Sequence, residues 1–199
     1  MKITINHKNL TKIISIIERV ISRNPSLPIL NNILIKTENG RLKLIATNLE
    51  IGISGLLGAK IEETGEIAVP AKIFSDFINN TGEEKITLTT KNNILAINTE
   101  KYKTQILGFD TKDFPIIPKI KKEIFSTIPS KILKSGLISV FDSVAISETR
   151  PELAGVFIQF NDKQLVFSST DSFRLTERII DLKNKNSNSF ILPRTTVLE

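Results

Sequence analysis

Cysteine and tryptophan are absent from this 199-residue chain, and histidine, tyrosine and methionine occur once each, as His7, Tyr102 and Met1. Without cysteine there is no disulfide, no thiolate nucleophile and no thiolate metal site, and a single histidine cannot furnish a Cys/His cluster. A cysteine-free chain fits a cytoplasmic protein. No apolar stretch approaches the ~20 residues needed to cross a bilayer, and Met1–Asn6 alternates like a strand instead of forming a signal peptide, so no membrane partner is expected. Catalytic signatures are missing as well: there is no Walker loop, dinucleotide fingerprint, Gly-x-Ser-x-Gly elbow or His-Glu-x-x-His pair. Glu62-Glu63 and Glu83-Glu84 read as turn charges. Ser169-Thr170-Asp171-Ser172 sets hydroxyls beside a carboxylate without a candidate base, and reads as a strand-to-turn junction held by Thr and Asp side chains. The residues therefore predict neither an enzyme nor a metal or cofactor site.

What the chain does contain is a repeat. A gapless shift of 123 residues lays Leu10, Pro28, Leu30, Leu42, Thr47 and Pro70 on Leu133, Pro151, Leu153, Leu165, Thr170 and Pro193. Ile33-Leu34-Ile35 falls on Val156-Phe157-Ile158, and Val69 on Leu192. A register kept over about sixty positions implies one structural unit used twice. The second copy stops at Glu199, so we expect a whole unit over residues 1–121 and an incomplete one over 122–199.

Within the first unit, Lys2 to Asn6 reads as a strand and Lys8 to Arg23 as a helix, with apolar residues at Leu10, Ile13, Ile14, Ile17, Val20 and Ile21. Asn39-Gly40 between Ile33–Lys36 and Leu42–Thr47 signals a hairpin. Ile51 to Lys60 reads as one strand whose three glycines suggest bulges. A helix is expected from Ala71 to about Asn80 with Pro70 near its start, followed by strands at Lys85–Thr90, Ile94–Thr99 and Lys103–Phe109. Asp113–Pro118 and the Lys119–Glu123 charge run form a connection. Ile124 then restarts the pattern with a strand, a helix from Ser130 to about Ser147 and a hairpin. The sum is an α+β protein, each unit pairing two helices with antiparallel sheet.

Net charge is +6, which suits an acidic partner but also follows from a composition rich in Lys, Ile and Asn. Its distribution is more telling. At 100° per residue Lys8, Lys12, Arg19 and Arg23 share an arc of roughly 60°, opposite the apolar stripe of the first helix. A solvated helix face explains such an arc too, yet solvated faces usually mix signs. The second helix is less ordered: Lys131 and Lys134 share it with Asp142. With one Tyr and no Trp, phosphate contact without base stacking is the mode these residues favour. On these grounds alone, a basic α+β module that binds nucleic acid directly stands as an alternative to any larger assembly.

Six short motifs resemble those of the bacterial sliding clamp family, the β subunit of DNA polymerase III. They are Leu27-Pro28-Ile29-Leu30, Thr47-Asn48-Leu49-Glu50, Val69-Pro70-Ala71-Lys72, Asp113-Phe114-Pro115, Glu148-Thr149-Arg150-Pro151-Glu152-Leu153-Ala154-Gly155-Val156 and Thr170-Asp171-Ser172-Phe173-Arg174-Leu175. Each is weak alone, but together they stand in family order over the whole chain. The resemblance implies a DNA-clamp fold with three similar domains per complete chain, the third being absent here. It implies a head-to-tail homodimeric ring around double-stranded DNA. Its expected partners are the replicative polymerase α subunit, the clamp loader and other clamp-motif proteins.

By position, the resemblance assigns Arg23, Asn24, Lys72, Ser147 and Arg150 to the DNA-facing surface, beside Lys8, Lys12 and Arg19. The family often has Arg where Asn24 stands, so Arg23 is expected to serve instead. It assigns Leu153, Thr170, Ser172, Phe173, Arg174 and Leu175 to a pocket for partner peptides, where Leu153 and Leu175 would bury a Leu or Phe anchor. Read without the resemblance, Leu153 and Leu175 are core residues.

Overall fold

The computed structural model describes residues 1–21, 27–118, 126–147, 149–183 and 186–198. The chain divides into two units, Met1–Pro118 and Lys119–Glu199. Unit 1 runs β1 (Lys2–Asn6), α1 (His7–Ile17), β2 (Asn32–Glu38), β3 (Arg41–Thr47), β4 (Gly52–Leu57), β5 (Lys60–Glu63), β6 (Glu66–Pro70), α2 (Ala71–Asn80), β7 (Lys85–Lys91), β8 (Ile94–Asn98) and β9 (Lys103–Leu107). Its strands form two antiparallel sheets, ordered β5-β1-β7-β8-β9 and β4-β3-β2-β6. One core joins both sheets to the helices: Leu10, Ile14 and Ile17 of α1 and Phe74 and Ile78 of α2 meet Ile3, Leu88 and Leu95 of one sheet and Ile33, Ile35 and Leu44 of the other. Each such side chain contributes about 1.5–3 kcal/mol on burial, which fixes the outward face of α1.

The hairpin forms where Asn-Gly directs it. Asn39 and Gly40 both take positive φ (49° and 72°), and Glu38 pairs with Arg41, as a tight turn with right-handed strand twist requires.

Four expectations need correction. The first helix does not run to Arg23 as one α-helix: α1 ends at Ile17 and Glu18–Val20 forms a 3-10 turn. Residues i and i+3 eclipse in that tighter geometry, so Val20 follows Ile17 into the core. The expected strand Ile51–Lys60 is two strands in different sheets, β4 on β3 and β5 on β1. Period-2 alternation records inward and outward facing but not which sheet a strand joins. Nor are Gly52 and Gly55 bulges, since both pair in register with β3. A Cβ at Gly55 would stand 2.5 Å from Ile13 Cγ2, so its glycine admits α1 close against the sheet.

Unit 2 contains α3 (Ser130–Phe141), β10 (Gly155–Phe160), β11 (Gln164–Thr170), β12 (Leu175–Asp181), β13 (Asn188–Pro193) and α4 (Arg194–Leu198), with sheet order β12-β11-β10-β13. The 123-residue shift holds for α1 and the four-stranded sheet: α1 maps onto α3, β3 maps onto β11, and the sheet order repeats β4-β3-β2-β6, whereas β1 has no strand counterpart among the described residues 126–129. The third correction lies here, because α3 ends at Phe141 and not near Ser147. Ser143 N–H bonds Val140 O (3.2 Å) and Val144 N–H bonds Phe141 O (3.1 Å), tightening the chain so that Ser143 and Val144 turn inward. Of the strand expected to start at Ile124, positions 124–125 lie outside the described residues and 126–129 form no strand.

Candidate nucleic-acid face and peptide pocket

Asn6 caps α1, its side chain accepting from Asn9 N–H. The lone histidine then anchors the helix: His7 Nε2 lies 2.7 Å from Ile78 O at the end of α2. A carbonyl only accepts, so Nε2 carries the proton, and His7 serves as a strut between the helices. With Leu10, Ile14 and Ile17 buried, Lys8 and Lys12 are left exposed on the opposite side. Arg19 belongs to the 3-10 turn, which rotates it further by about 40° yet keeps it near the lysines. It also brings Arg19 to an open cleft of about 860 Å³ lined by Glu18, Asn31, Pro70, Lys72 and Asp76. The fold thus joins Arg19 to Lys72, far apart in sequence, but adds two carboxylates that the one-helix arc left out. Arg23 and Asn24 lie outside the described residues.

In unit 2, Ser147 Oγ meets Thr149 Oγ1 at 2.9 Å on the surface. Arg150 is drawn elsewhere. Its Nε donates to Glu152 Oε1 (3.1 Å) and its Nη1 to Ser172 Oγ (3.2 Å), which sets its guanidinium against the pocket group. Arg194 was not singled out from the sequence. It opens α4, lies 5.0 Å over the Phe141 ring and donates its N–H to Ala154 O. The repeat held no signal for it, since Arg194 falls on Ala71 and Lys72 falls on Thr195.

The pocket residues gather on the β11–β12 turn. Thr170 Oγ1 donates to Arg174 O (2.7 Å) and accepts from Ser172 N–H (3.1 Å). Asp171 Oδ1 accepts from Phe173 N–H and Arg174 N–H, both at 3.0 Å, while Arg174 Nε donates to Asp171 Oδ2 at 3.1 Å. The two backbone donors, then the Arg174 guanidinium, hold the Asp171 carboxyl below its usual range. Arg174 also donates to Asp142 O, tying the turn to the end of α3. Ser172 takes φ +77°. The strand-to-turn reading of this stretch is correct, and its carboxylate is occupied with backbone amides.

This clamped turn presents Phe173 and Leu175 outward, 97% and 71% exposed, with Leu153 half-buried. Unit 1 builds the same turn at Thr47–Gly52: Thr47 Oγ1 donates to Ile51 O (2.8 Å), Asn48 Oδ1 accepts from Glu50 and Ile51 N–H, and Leu49 takes φ +77°.

Comparison with known proteins agrees over both units. Residues 1–118 match the family model of the DNA polymerase III beta subunit N-terminal domain, and residues 127–199 that of its central domain. The beta sliding clamp of Buchnera aphidicola is 31% identical over 204 residues, covering 100% of this chain and 55% of that protein. That of Synechocystis is 29% identical over 184 residues, covering 88% and 47%. A crystal structure of a DNA polymerase III beta subunit from Eubacterium rectale superposes with a TM-score of 0.88 at 29% identity, covering 100% of this chain and 54% of that one. The chain spans about half the length of the relatives it matches. From the repeated unit, the repeated turn and the match of both units, the chain belongs to the DNA polymerase III beta subunit family.

Proposed function

We propose that the chain acts as a processivity factor of bacterial chromosomal replication, a sliding clamp that encircles duplex DNA and tethers the replicative polymerase. The observation that carries the proposal is the match of both units, in order, to consecutive domains of one family of clamps. The exposed Lys8 and Lys12, with Arg19 and Lys72 at the nearby cleft, supply phosphate contacts without base readout. Such contacts are individually weak and salt-screened, so topology and not affinity retains the protein while it slides. Arg23 and Asn24 are the further proposed phosphate contacts of unit 1, and Ser147 and Arg150 those of unit 2, where Arg150 also donates to Ser172 of the pocket group. No catalytic step is assigned to it; the role is mechanical.

The turn carrying Thr170, Ser172, Phe173, Arg174 and Leu175, with Leu153 beside it, is the proposed docking site for the polymerase α subunit, the clamp loader and other clamp-motif proteins. Its exposed Leu175 offers an apolar wall for a Leu or Phe anchor, and the hydrogen-bonded Thr170–Arg174 turn makes that wall preorganised. Assembly of the full-length protein as a homodimeric ring in the cytoplasm completes the proposal.

Loading onto a nicked circular duplex tests it. Ring encirclement gives a complex that survives moderate salt on the circle and is lost when the circle is linearised. Equal retention on linear and circular DNA, with a steep salt slope, would instead establish a directly binding basic module. For the pocket, a short blocked peptide carrying Leu and Phe should shift the backbone amides of Asp171–Leu175.

A further inference from the structure

The Thr170–Leu175 turn is fastened to the end of α3 by side chains whose counterparts in unit 1 cannot do the same. Ser169 and Thr176 face each other across β11 and β12, one residue before the turn and one after it. The buried Ser169 Oγ donates to Val140 O in the last turn of α3. Thr176 Oγ1 and the buried Ser143 Oγ lie 2.6 Å apart, one donating to the other. From within the turn, Arg174 donates to Asp142 O. Val140, Asp142 and Ser143, at the end of α3, thereby hold the turn at its base and from inside.

The 123-residue shift lays Ser143, Ser169, Arg174 and Thr176 on Val20, Ala46, Ile51 and Ile53. All four are aliphatic in unit 1, where Val20 and Ala46 are buried and Ile53 packs half-buried against the core. There the same joint between helix and sheet is made by apolar contact. A buried hydrogen bond adds little net stability over a well-packed apolar pair, because both groups bond to water in the unfolded chain. What it adds is direction: a hydroxyl meets its partner within a narrow range of distance and angle. The directional joint stands in the unit whose turn is read as the peptide site, and that turn is what it fixes.

We propose that Ser143, Ser169 and Thr176 are positioning residues of the peptide site: they fix the base of the turn on α3, so that Leu175 is held in the orientation a partner peptide meets. The inference rests on the reading of the Thr170–Leu175 turn as a peptide site. None of the three hydroxyls touches the peptide; each acts through the turn. Because the turn is ordered when the unit folds, docking carries no further ordering cost there.

The test gives unit 2 the residues of unit 1, as Ser143→Val/Ser169→Ala/Thr176→Ile in the full 199-residue chain. All three hydroxyls go together, so none is left buried without its partner. Amide hydrogen exchange of the free chain is read first. Amides of β10 report the opening of unit 2 as a whole and should exchange within about threefold of the wild type. Those of Phe173 and Arg174 should exchange at least about tenfold faster, while Glu50 and Ile51 of the unit 1 turn stay as they are. The blocked peptide carrying Leu and Phe, followed at Asp171–Leu175, should then bind about tenfold more weakly. Turn amides that exchange as in the wild type, turn and β10 amides that rise together, or unchanged peptide affinity in the loosened variant each overturn the proposal. If the triple variant does not fold, Thr176→Val and Thr176→Ser, of which only the second keeps the hydroxyl, are compared in the same assays. Faster turn exchange and weaker binding in the Val variant alone support the proposal, and equal behaviour overturns it. A wild-type chain that does not bind the peptide overturns the peptide-site reading itself, and is distinguishable because the exchange result still shows whether the hydroxyls fix the turn.

Discussion

Replacing Gly55 by alanine probes the contact that seats α1, and with it Lys8 and Lys12, on the sheet. The added Cβ would lie 2.5 Å from Ile13 Cγ2 and 3.1 Å from Cδ1, against an ordinary carbon contact of about 3.5–4.0 Å. Ile13 or the whole helix must retreat by about 1 Å. Overpacking of this kind costs about 1–3 kcal/mol. Removing a glycine from a strand interior returns about 0.5–1 kcal/mol. At the midpoints of these ranges the net loss is about 1.2 kcal/mol, a fall of roughly 5 °C for a unit of this size. Tyr102 is the only Tyr and Trp is absent, so tyrosine fluorescence reports unfolding of unit 1 alone.

Gly58→Ala is the control, because nothing lies within 4 Å of a Cβ there; its melting temperature should match or slightly exceed the wild type. Ile13→Ala in the Gly55→Ala background should cost less than it does in the wild-type chain, the sign of a shared contact. A Gly55→Ala chain melting at or above the wild type, with the control unchanged, would refute the packing argument.

Reversing Lys8 and Lys12 to Glu should leave that melting temperature within a few degrees, lower retention on circular duplex at least tenfold and reduce the salt slope by about 2; unchanged retention would remove both lysines from the DNA face. Leu175→Ala should weaken peptide docking, measured by amide shifts, while stability changes by less than about 0.5 kcal/mol because the side chain is 71% exposed. A large melting shift with docking intact would assign Leu175 to packing. Because the Asp171 carboxyl sits below its ordinary range, its support of the turn is complete above about pH 4 and is lost as pH falls through the lowered value. The Phe173 and Arg174 amides should therefore hold still from about pH 6 to 4 and move below that, and movement already near pH 5 would contradict the assignment. Asp171→Asn should keep the turn without the pH response, since Asn48 holds the same turn in unit 1, whereas Asp171→Ala should loosen it.

Much of the fold was legible in the residues because local chemistry decides it. Asn39-Gly40 turns the chain wherever two strands flank it, and the apolar spacing from Leu10 to Ile17 can bury only one face of a helix. The Thr170–Asp171 turn likewise closes through side chains on its own backbone amides. Helix ends were less legible. Whether the chain continues as α-helix past Ile17 or tightens depends on whether Val20 has core to enter, and that core comes from strands far along the chain.

The site divides along the same line. Lys8 and Lys12 could be placed from helical period alone, because one turn of backbone separates them. Pairing Arg19 with Lys72, and turning Arg150 toward Ser172, required the tertiary fold, since no short-range pattern relates positions brought together by packing of separate elements. The repeat, the antiparallel α+β class and the exposed basic face of α1 were determined by the sequence itself, through periodicity and side-chain chemistry acting over a few residues. Which sheet β5 joins and why Gly55 must be glycine were decided only by the tertiary structure, because each depends on what long-range contacts leave room for.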